Sequence, residues 1–117
     1  VLESVAYQTN DVLFALSQDL NHDQFVLSVD GGMVKSNLLM QYQSDISNIR
    51  VQAPNLHETT AYGVALASYV YVKNLDLKSL STSNKTLKTW SPNMSDQKRE
   101  NSLMSWNKAL EKAKNWL

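Results

Sequence analysis

Apolar residues recur every three or four positions along four stretches of the chain, which is the spacing of one side of an α-helix. The first stretch runs from Leu2 to Leu20, and the others cover residues 38–46, 59–72 and 95–117. Thr59 or Thr60 can cap the third helix. Ser95 can cap the fourth, and Asp96 follows it at a position where the helix dipole favours an acid. The pattern therefore predicts four helices.

Shorter apolar runs between these helices predict strands. Residues 25–29 are almost continuously apolar, interrupted only by Ser28, which is typical of a strand covered on both faces in a parallel sheet. Residues 49–51 predict a second strand, which Pro54 is expected to stop. The weak alternation of residues 85–90 favours an edge strand.

The predicted elements alternate as helix, strand, helix, strand, helix, and a polar tail leads to the last helix. Such alternation predicts an α/β layer with parallel pairing. It divides the chain into an α/β core at residues 1–72, an irregular connection at 73–94 with a helical turn at 76–80, and a C-terminal helix at 95–117. Two short strands make a poor sheet, so we expect a sheet that is incomplete here or completed by a partner chain. Val1 lies inside a helical pattern without a preceding methionine, which predicts a piece of a longer protein.

Composition narrows the classes of function. The chain has 117 residues, enough for one domain, and 43% of them are hydrophobic, enough for a packed core. Lys plus Arg and Asp plus Glu both number 11, so no basic excess indicates nucleic acid or an anionic membrane. No apolar run approaches the roughly 20 residues that span a bilayer, and no signal peptide is predicted. The lack of cysteine excludes thiolate chemistry and agrees with a cytoplasmic location.

The obvious catalytic and metal-binding residue types do not form a site in the sequence. His22 and His57 are the only histidines, and without cysteine they match no zinc-ligand spacing. No G-x-S-x-G sequence supports a hydrolase. Glu58 precedes a predicted helix, where the dipole stabilises a carboxylate. The lysines of the last helix predict a solvated face, and Trp106 and Trp116 are expected to pack.

Gly31 and Gly32 form the better candidate, because they follow a predicted buried strand and precede a helix. Ligands of open α/β sheets bind at this end of the strands. Glycine lets the backbone approach a ring or a phosphate, and the helix beyond offers unpaired N–H groups. The turn matches neither a phosphate-binding loop of the Walker type nor a G-x-G-x-x-G fingerprint. A ligand site and a simple tight turn both remain open on these grounds.

Several short motifs together resemble the C-terminal region of the FGGY family of carbohydrate kinases. They are DGGM at residues 30–33, LMQ at 39–41, QSDI at 43–46, Pro54, ETTA at 58–61 with Gly63, and LESVAYQ at 2–8. The aspartate before the two glycines, the LMQ run and the ETTA string resemble the members that phosphorylate glycerol more than those that act on xylulose or gluconate.

The resemblance implies a part of a ribonuclease H-like, actin-like ATPase domain, with ATP held in a cleft between two domains. By position, Gly31 and Gly32 would approach the adenosine part of ATP. Ser36 stands where the family usually has an asparagine that contacts the nucleotide. The family's general base and its phosphate- and glycerol-contacting residues lie upstream, so the resemblance implies no catalytic and no metal-binding residue in this chain.

The function implied for the full-length protein is transfer of a phosphoryl group from ATP, with Mg²⁺, to glycerol, in a homo-oligomeric, cytoplasmic enzyme. The chain alone is expected to be inactive. Two alternatives remain beside it. One is a kinase of another sugar or polyol in the same family, and the other is a non-catalytic interaction or scaffold module that keeps only this α/β segment.

Overall fold

The computed structural model describes residues 1–20, 25–54, 59–76 and 87–114. Its elements are, in chain order, α1 (Leu2–Leu20), β1 (Val26–Ser28), a short 3₁₀ helix (Gly32–Lys35), α2 (Asn37–Ser47), β2 (Arg50–Pro54), α3 (Thr59–Lys73), β3 (Leu87–Trp90) and α4 (Asp96–Lys114). The four predicted helices are confirmed, and α1 has the predicted bounds. The 3₁₀ helix was not predicted.

The three strands form one sheet in the order β1-β2-β3. β1 and β2 are parallel, with Val26 opposite Arg50, as the helix–strand alternation predicts. β3 runs antiparallel to β2, with Val51 opposite Trp90, and it lies at the edge as expected. The prediction of an α/β fold with an incomplete sheet is therefore confirmed.

One expectation about the strands is confirmed and one is wrong. β2 ends at Pro54, as predicted, with Pro54 as its last residue opposite Leu87 of β3, a position that proline tolerates at the end of a strand. β1 is not covered on both faces, because Val26 is 51% exposed while Leu27 is half-buried. The described helices cover only the face of the sheet that carries Leu27 and Val51.

The core lies between that face of the sheet and the helices α1 and α2. Its buried members come from five elements and are Ala6, Val34, Leu39, Met40, Val51, Ala53 and Trp90. Ile46 of α2 is also buried. The apolar stripe of α1 contributes less than its spacing predicts, since Val12 and Leu16 are exposed and only Ala6 is fully covered. The core therefore centres on α2 and the paired strands.

The predicted start of α4 is confirmed. The Ser95 hydroxyl accepts a hydrogen bond from the Lys98 backbone N–H at 3.4 Å, and Asp96 lies in the first turn. Asp76 lies outside any helix. Several predictions fall outside the described residues. They concern His22, His57, Glu58, residues 77–80, the first two residues of the predicted strand at 85–90, and residues 115–117 of the last helix, with Trp116. Among the described residues, no helix combines the length and the apolar content needed to cross a membrane.

Candidate functional site

The turn after β1 depends on glycine at its first position. Gly31 has φ 96° and ψ −178°, a backbone conformation that is essentially confined to glycine. Its carbonyl accepts a hydrogen bond from the Val34 N–H at 3.2 Å, which closes the turn. Any other residue at position 31 would strain the backbone, so Gly31 has a structural reason to be glycine.

At position 32, nothing in the described residues requires glycine. Gly32 begins the 3₁₀ helix without a positive φ, and a Cβ atom added there would meet no atom within 4 Å. A Cβ atom at Gly31 would also point into open space. The two glycines therefore leave an unfilled surface at the carboxyl end of β1, where a ligand could approach the backbone closely.

Ser36 caps the helix that follows. Its hydroxyl oxygen accepts a hydrogen bond from the Leu39 N–H at 3.3 Å, and its carbonyl accepts one from the Met40 N–H at 3.1 Å. A serine hydroxyl also carries a proton that it can donate. Ser36 thus starts α2 and keeps a donor at the helix N-terminus, three residues beyond Met33 and four beyond Gly32.

A lysine from β3 reaches the same end of α2. The Lys88 ammonium donates a hydrogen bond to the side-chain oxygen of Asn37 at 2.7 Å, and it lies 5.4 Å from the centroid of the Trp90 ring. The positive end of the α2 dipole and this cation lie together, which makes the region favourable for negative charge. Lys88 was not predicted, because only the register of β3 against β2 shows that it belongs here.

The motif residues of α2 mostly have structural roles. Gln41 donates to the Ser91 carbonyl at 2.9 Å and to Asp45 at 3.0 Å, and Asp45 accepts from the Asn93 N–H at 2.7 Å. The fully buried Ser44 hydroxyl lies 2.6 Å from the Ile49 carbonyl. These contacts hold α2 against the segments just before β2 and just after β3, which lie at the same end of the sheet. Gln41, Ser44 and Asp45 therefore have structural roles.

Arg99 ties α4 to the carboxyl end of α2. Its guanidinium is buried and donates to the Asp45 carbonyl at 2.6 Å, to the Asp96 carboxylate at 2.6 Å and to the Met94 carbonyl at 3.0 Å. A cation is favourable where a helix ends, because the last carbonyls carry partial negative charge. In the sequence Arg99 is only a basic residue in a polar helix, which is no signal for this role.

Three aromatic residues connect the helices α1, α2 and α4. The hydroxyls of Tyr7 and Tyr42 are 2.9 Å apart, and the Tyr7 ring stacks on Trp106 with centroids 5.0 Å apart. Burial raises the pKa of the Tyr42 phenol, and the hydrogen bond with Tyr7 raises it further. The indole N–H of Trp106 donates to Asp11 at 2.9 Å. Trp106 packs, as the sequence predicts.

Among the described residues, no group of three or more His, Asp or Glu side chains converges on a point where a metal ion could bind. Around the start of α2, Ser36 supplies a hydroxyl and Lys88, held on the Asn37 side chain, supplies an ammonium. These are groups that suit a polar, negatively charged ligand.

Comparison with known proteins identifies the family. Residues 1–71 match the C-terminal domain of the FGGY family of carbohydrate kinases. The chain is 42% identical to a glycerol kinase of Clostridium botulinum over 116 residues, which are 98% of this chain and 23% of that protein. It is 43% identical to a glycerol kinase of Corynebacterium kroppenstedtii over 117 residues, with 99% and 23% covered.

A solved structure agrees with this assignment. The crystal structure of Plasmodium falciparum glycerol kinase with ADP superposes on 95% of this chain with a TM-score of 0.73 and 31% identity, and the match covers 22% of that protein. The chain thus spans about a quarter of the length of the relatives it matches. The resemblance carried by the motifs is confirmed, and the chain belongs to the FGGY family of carbohydrate kinases.

Proposed function

We propose that this chain forms the C-terminal, adenosine-contacting part of an ATP-dependent glycerol kinase, which converts glycerol to glycerol 3-phosphate. Two observations support the proposal. Glycerol kinases about 42% identical match almost the whole chain, and the structurally similar Plasmodium falciparum glycerol kinase was crystallised with ADP. We propose glycerol as the substrate, and not another sugar or polyol, because these relatives are glycerol kinases.

The observation that carries the proposal is the open glycine turn. Gly31 adopts a glycine-only conformation, both glycines face unfilled space, and Ser36 caps α2 four residues beyond Gly32. An adenosine ring or ribose could lie against this backbone at the carboxyl end of β1, as ligands of open α/β sheets do. We assign Gly31, Gly32 and Ser36 to nucleotide contact, with Ser36 as the hydroxyl donor.

The chain supplies one wall of the proposed cleft. Phosphoryl transfer depends on positioning the nucleotide and on stabilising its charge from several sides. Mg²⁺ would enter with the phosphates of ATP, since such ions are held mostly by phosphate oxygens and one or two carboxylates. We assign no catalytic and no metal-binding residue to the described part. On its own, the chain is expected to bind ATP weakly and to be inactive.

The remaining parts of the proposal concern organisation. We propose that residues 1–72 form the α/β core, 73–94 the connection that carries β3, and 95–117 the C-terminal helix. We also propose that the full enzyme is a cytoplasmic homo-oligomer. The support for these statements is the pattern of the sequence and the three-stranded sheet, in which β1 and β3 each pair on one side only among the described residues.

The test is a chimera of the Clostridium botulinum glycerol kinase in which this chain replaces the matched 116 residues. We expect glycerol-dependent consumption of ATP. In that chimera, Gly32→Ala should raise KM for ATP by roughly tenfold, about 1.4 kcal/mol of lost binding, and leave KM for glycerol unchanged. The reason is that a Cβ atom at position 32 disturbs nothing in the fold and only blocks a ligand.

Gly31→Ala is the matched comparison. In the isolated chain it should lower the free energy of unfolding by about 1–3 kcal/mol, the cost of a strained backbone. Gly32→Ala should leave it unchanged or raise it by up to about 1 kcal/mol, because alanine fits the backbone there. The proposal fails if Gly32→Ala leaves KM for ATP unchanged. A folded chimera that consumes no ATP with glycerol would instead favour the non-catalytic interaction module.

A further inference from the structure

A line of polar side chains on α2 faces a later segment of the chain. Asn37, Gln41 and Asp45 are four residues apart, so they lie on one side of the helix. Each is hydrogen-bonded to residues 88–93, which we call the brace. Their partners, in order along α2, are the Lys88 ammonium at 2.7 Å, the Ser91 carbonyl at 2.9 Å and the Asn93 N–H at 2.7 Å. The brace therefore follows α2 from its first residue to its third turn.

The brace lies beyond the part of the chain that matches the family's C-terminal domain, since that match ends at residue 71. The matches to the two glycerol kinases cover 98% and 99% of the chain and therefore include the brace. This chain thus shares the segment with glycerol kinases in addition to the matched domain. The segment reaches the helix that Ser36 caps, which connects it to the proposed nucleotide site.

The contact between Lys88 and Asn37 is the part of the brace next to that site. Asn37 is the first residue of α2 and directly follows Ser36. The first N–H groups of a helix have no partner within it, and helix ends fray. The cap of this turn is long, because the Leu39 nitrogen lies 3.3 Å from the Ser36 Oγ, where about 2.9–3.0 Å is usual. The bond from Lys88 gives the first turn a second support.

Stability alone does not account for a lysine at this place. The N-terminus of a helix carries partial positive charge, which disfavours a nearby cation. Lys88 and Asn37 are both exposed, and polar contacts between exposed side chains contribute little to stability. We expect the bond to Asn37 and the repulsion by the dipole to offset each other largely. Residues that follow no stability rule are found mainly at functional sites.

We propose that Lys88 is a positioning residue for the nucleotide. Through its bond to Asn37 it holds the first turn of α2, and so it fixes the Ser36 hydroxyl where that group donates to the nucleotide. This inference rests on the nucleotide contact of Ser36 in the proposed function. It adds to that function a role of the brace in nucleotide affinity.

The test uses the Clostridium botulinum chimera with three single variants. Lys88→Met removes the ammonium and keeps most of the side chain, whereas Lys88→Arg keeps a donor for Asn37. Lys98→Met makes the same change at an exposed lysine of α4 and is the control. KM for ATP, KM for glycerol and the melting temperature are measured for each variant.

Lys88→Met should raise KM for ATP roughly fivefold, about the value of one hydrogen bond, with KM for glycerol and the melting temperature unchanged. Lys88→Arg and Lys98→Met should keep the parent's KM for ATP. A lower melting temperature with an equal rise of both KM values would show a general loosening of the fold and would overturn the positioning role.

Asn37→Ala separates positioning from direct contact. If Lys88 acts through Asn37, Asn37→Ala raises KM for ATP about as much as Lys88→Met does, and the double variant raises it no further. If Lys88→Met has its full effect in the Asn37→Ala chimera as well, Lys88 contacts the nucleotide itself, and the positioning role is overturned.

Calorimetric titration with ADP distinguishes failure of this inference from failure of the proposed function. An active chimera whose KM for ATP does not respond to Lys88→Met overturns the positioning role alone. A chimera that binds ADP but does not phosphorylate glycerol counts against the proposed activity. In that chimera Lys88→Met should still raise the Kd for ADP roughly fivefold, and an unchanged Kd overturns the positioning role. A folded chimera that binds no ADP overturns both proposals.

Discussion

Helix α2 is largely buried, whereas helix α3 is largely exposed to solvent. Five of the eleven residues of α2 are buried, including Gln43 and Ser44. None of the described side chains of α3 is buried, although that helix is the more apolar of the two. Apolar content alone therefore does not decide which helix forms the core of this chain. The presence of packing partners decides it.

The polar side chains of α2 can be buried because they find partners. Gln43 donates to the Ala6 carbonyl at 3.3 Å and to the Ser47 hydroxyl at 2.7 Å. The Ser44 hydroxyl lies 2.6 Å from the Ile49 carbonyl and 3.2 Å from that of Trp90. Buried polar groups are tolerated when they are hydrogen-bonded. α2 is thus covered by other elements of this chain, whereas the described elements leave α3 exposed.

The largest expected effect comes from truncating an apolar side chain on each helix. Ile46→Ala on α2 should lower the free energy of unfolding by about 2–5 kcal/mol. Ile46 is only 1% exposed, so its truncation leaves a cavity in the core. Val64→Ala on α3 should change it by about 0.5 kcal/mol or less. Urea unfolding of the isolated chain measures both, and equal losses would show that α3 is covered within this chain.

A smaller contrast is expected between two serines. Ser44→Ala leaves the carbonyls of Ile49 and Trp90 without the hydroxyl and should cost about 1–3 kcal/mol. Ser68 donates only to the Val64 carbonyl of its own helix at 3.0 Å and is exposed. Ser68→Ala should change stability by about 0.5 kcal/mol or less, in the stabilising direction, since alanine is the better helix former. Thermal unfolding of both variants checks the sign, and destabilisation by Ser68→Ala would contradict it.

The difference between α2 and α3 also marks what the sequence could predict. The helices were predictable because their 3.6-residue period is local, and the parallel pairing of β1 with β2 follows from the alternation of helices and strands. The burial of each helix could not be predicted in this way. Nothing in the residues of α3 shows that the described part of this chain leaves it exposed, because burial depends on distant elements.

The candidate site also has a part that the sequence predicts and a part that it does not. Gly31 was predictable, because two glycines after a strand indicate a special backbone turn. The cap formed by Ser36 was not predicted, since the resemblance drew attention only to its contact with the nucleotide. Lys88 and Arg99 were missed because their partners, Asn37 and Asp45, lie 51 and 54 positions away in the sequence. Only the register of β3 and the docking of α4 bring them together.

The smallest expected difference is between two tyrosines and depends on pH. Tyr42→Phe removes the hydrogen bond with Tyr7 and should cost about 0.5–1.5 kcal/mol at pH 7. Tyr71→Phe on α3 should cost nothing measurable, because Tyr71 is 87% exposed. Urea unfolding at neutral pH compares the two variants with the parent chain.

The pH dependence sharpens this last comparison. Burial, and then the contact with Tyr7, raises the pKa of Tyr42 in the folded chain, whereas an unfolded tyrosine ionises near pH 10. The stability that Tyr42 contributes is therefore complete below about pH 10 and falls as the pH rises further, because only the unfolded chain releases the proton. The difference between the parent and Tyr42→Phe should therefore shrink above that pH. A constant cost of Tyr42→Phe from pH 7 to above pH 10 would show that the folded chain does not hold this phenol neutral.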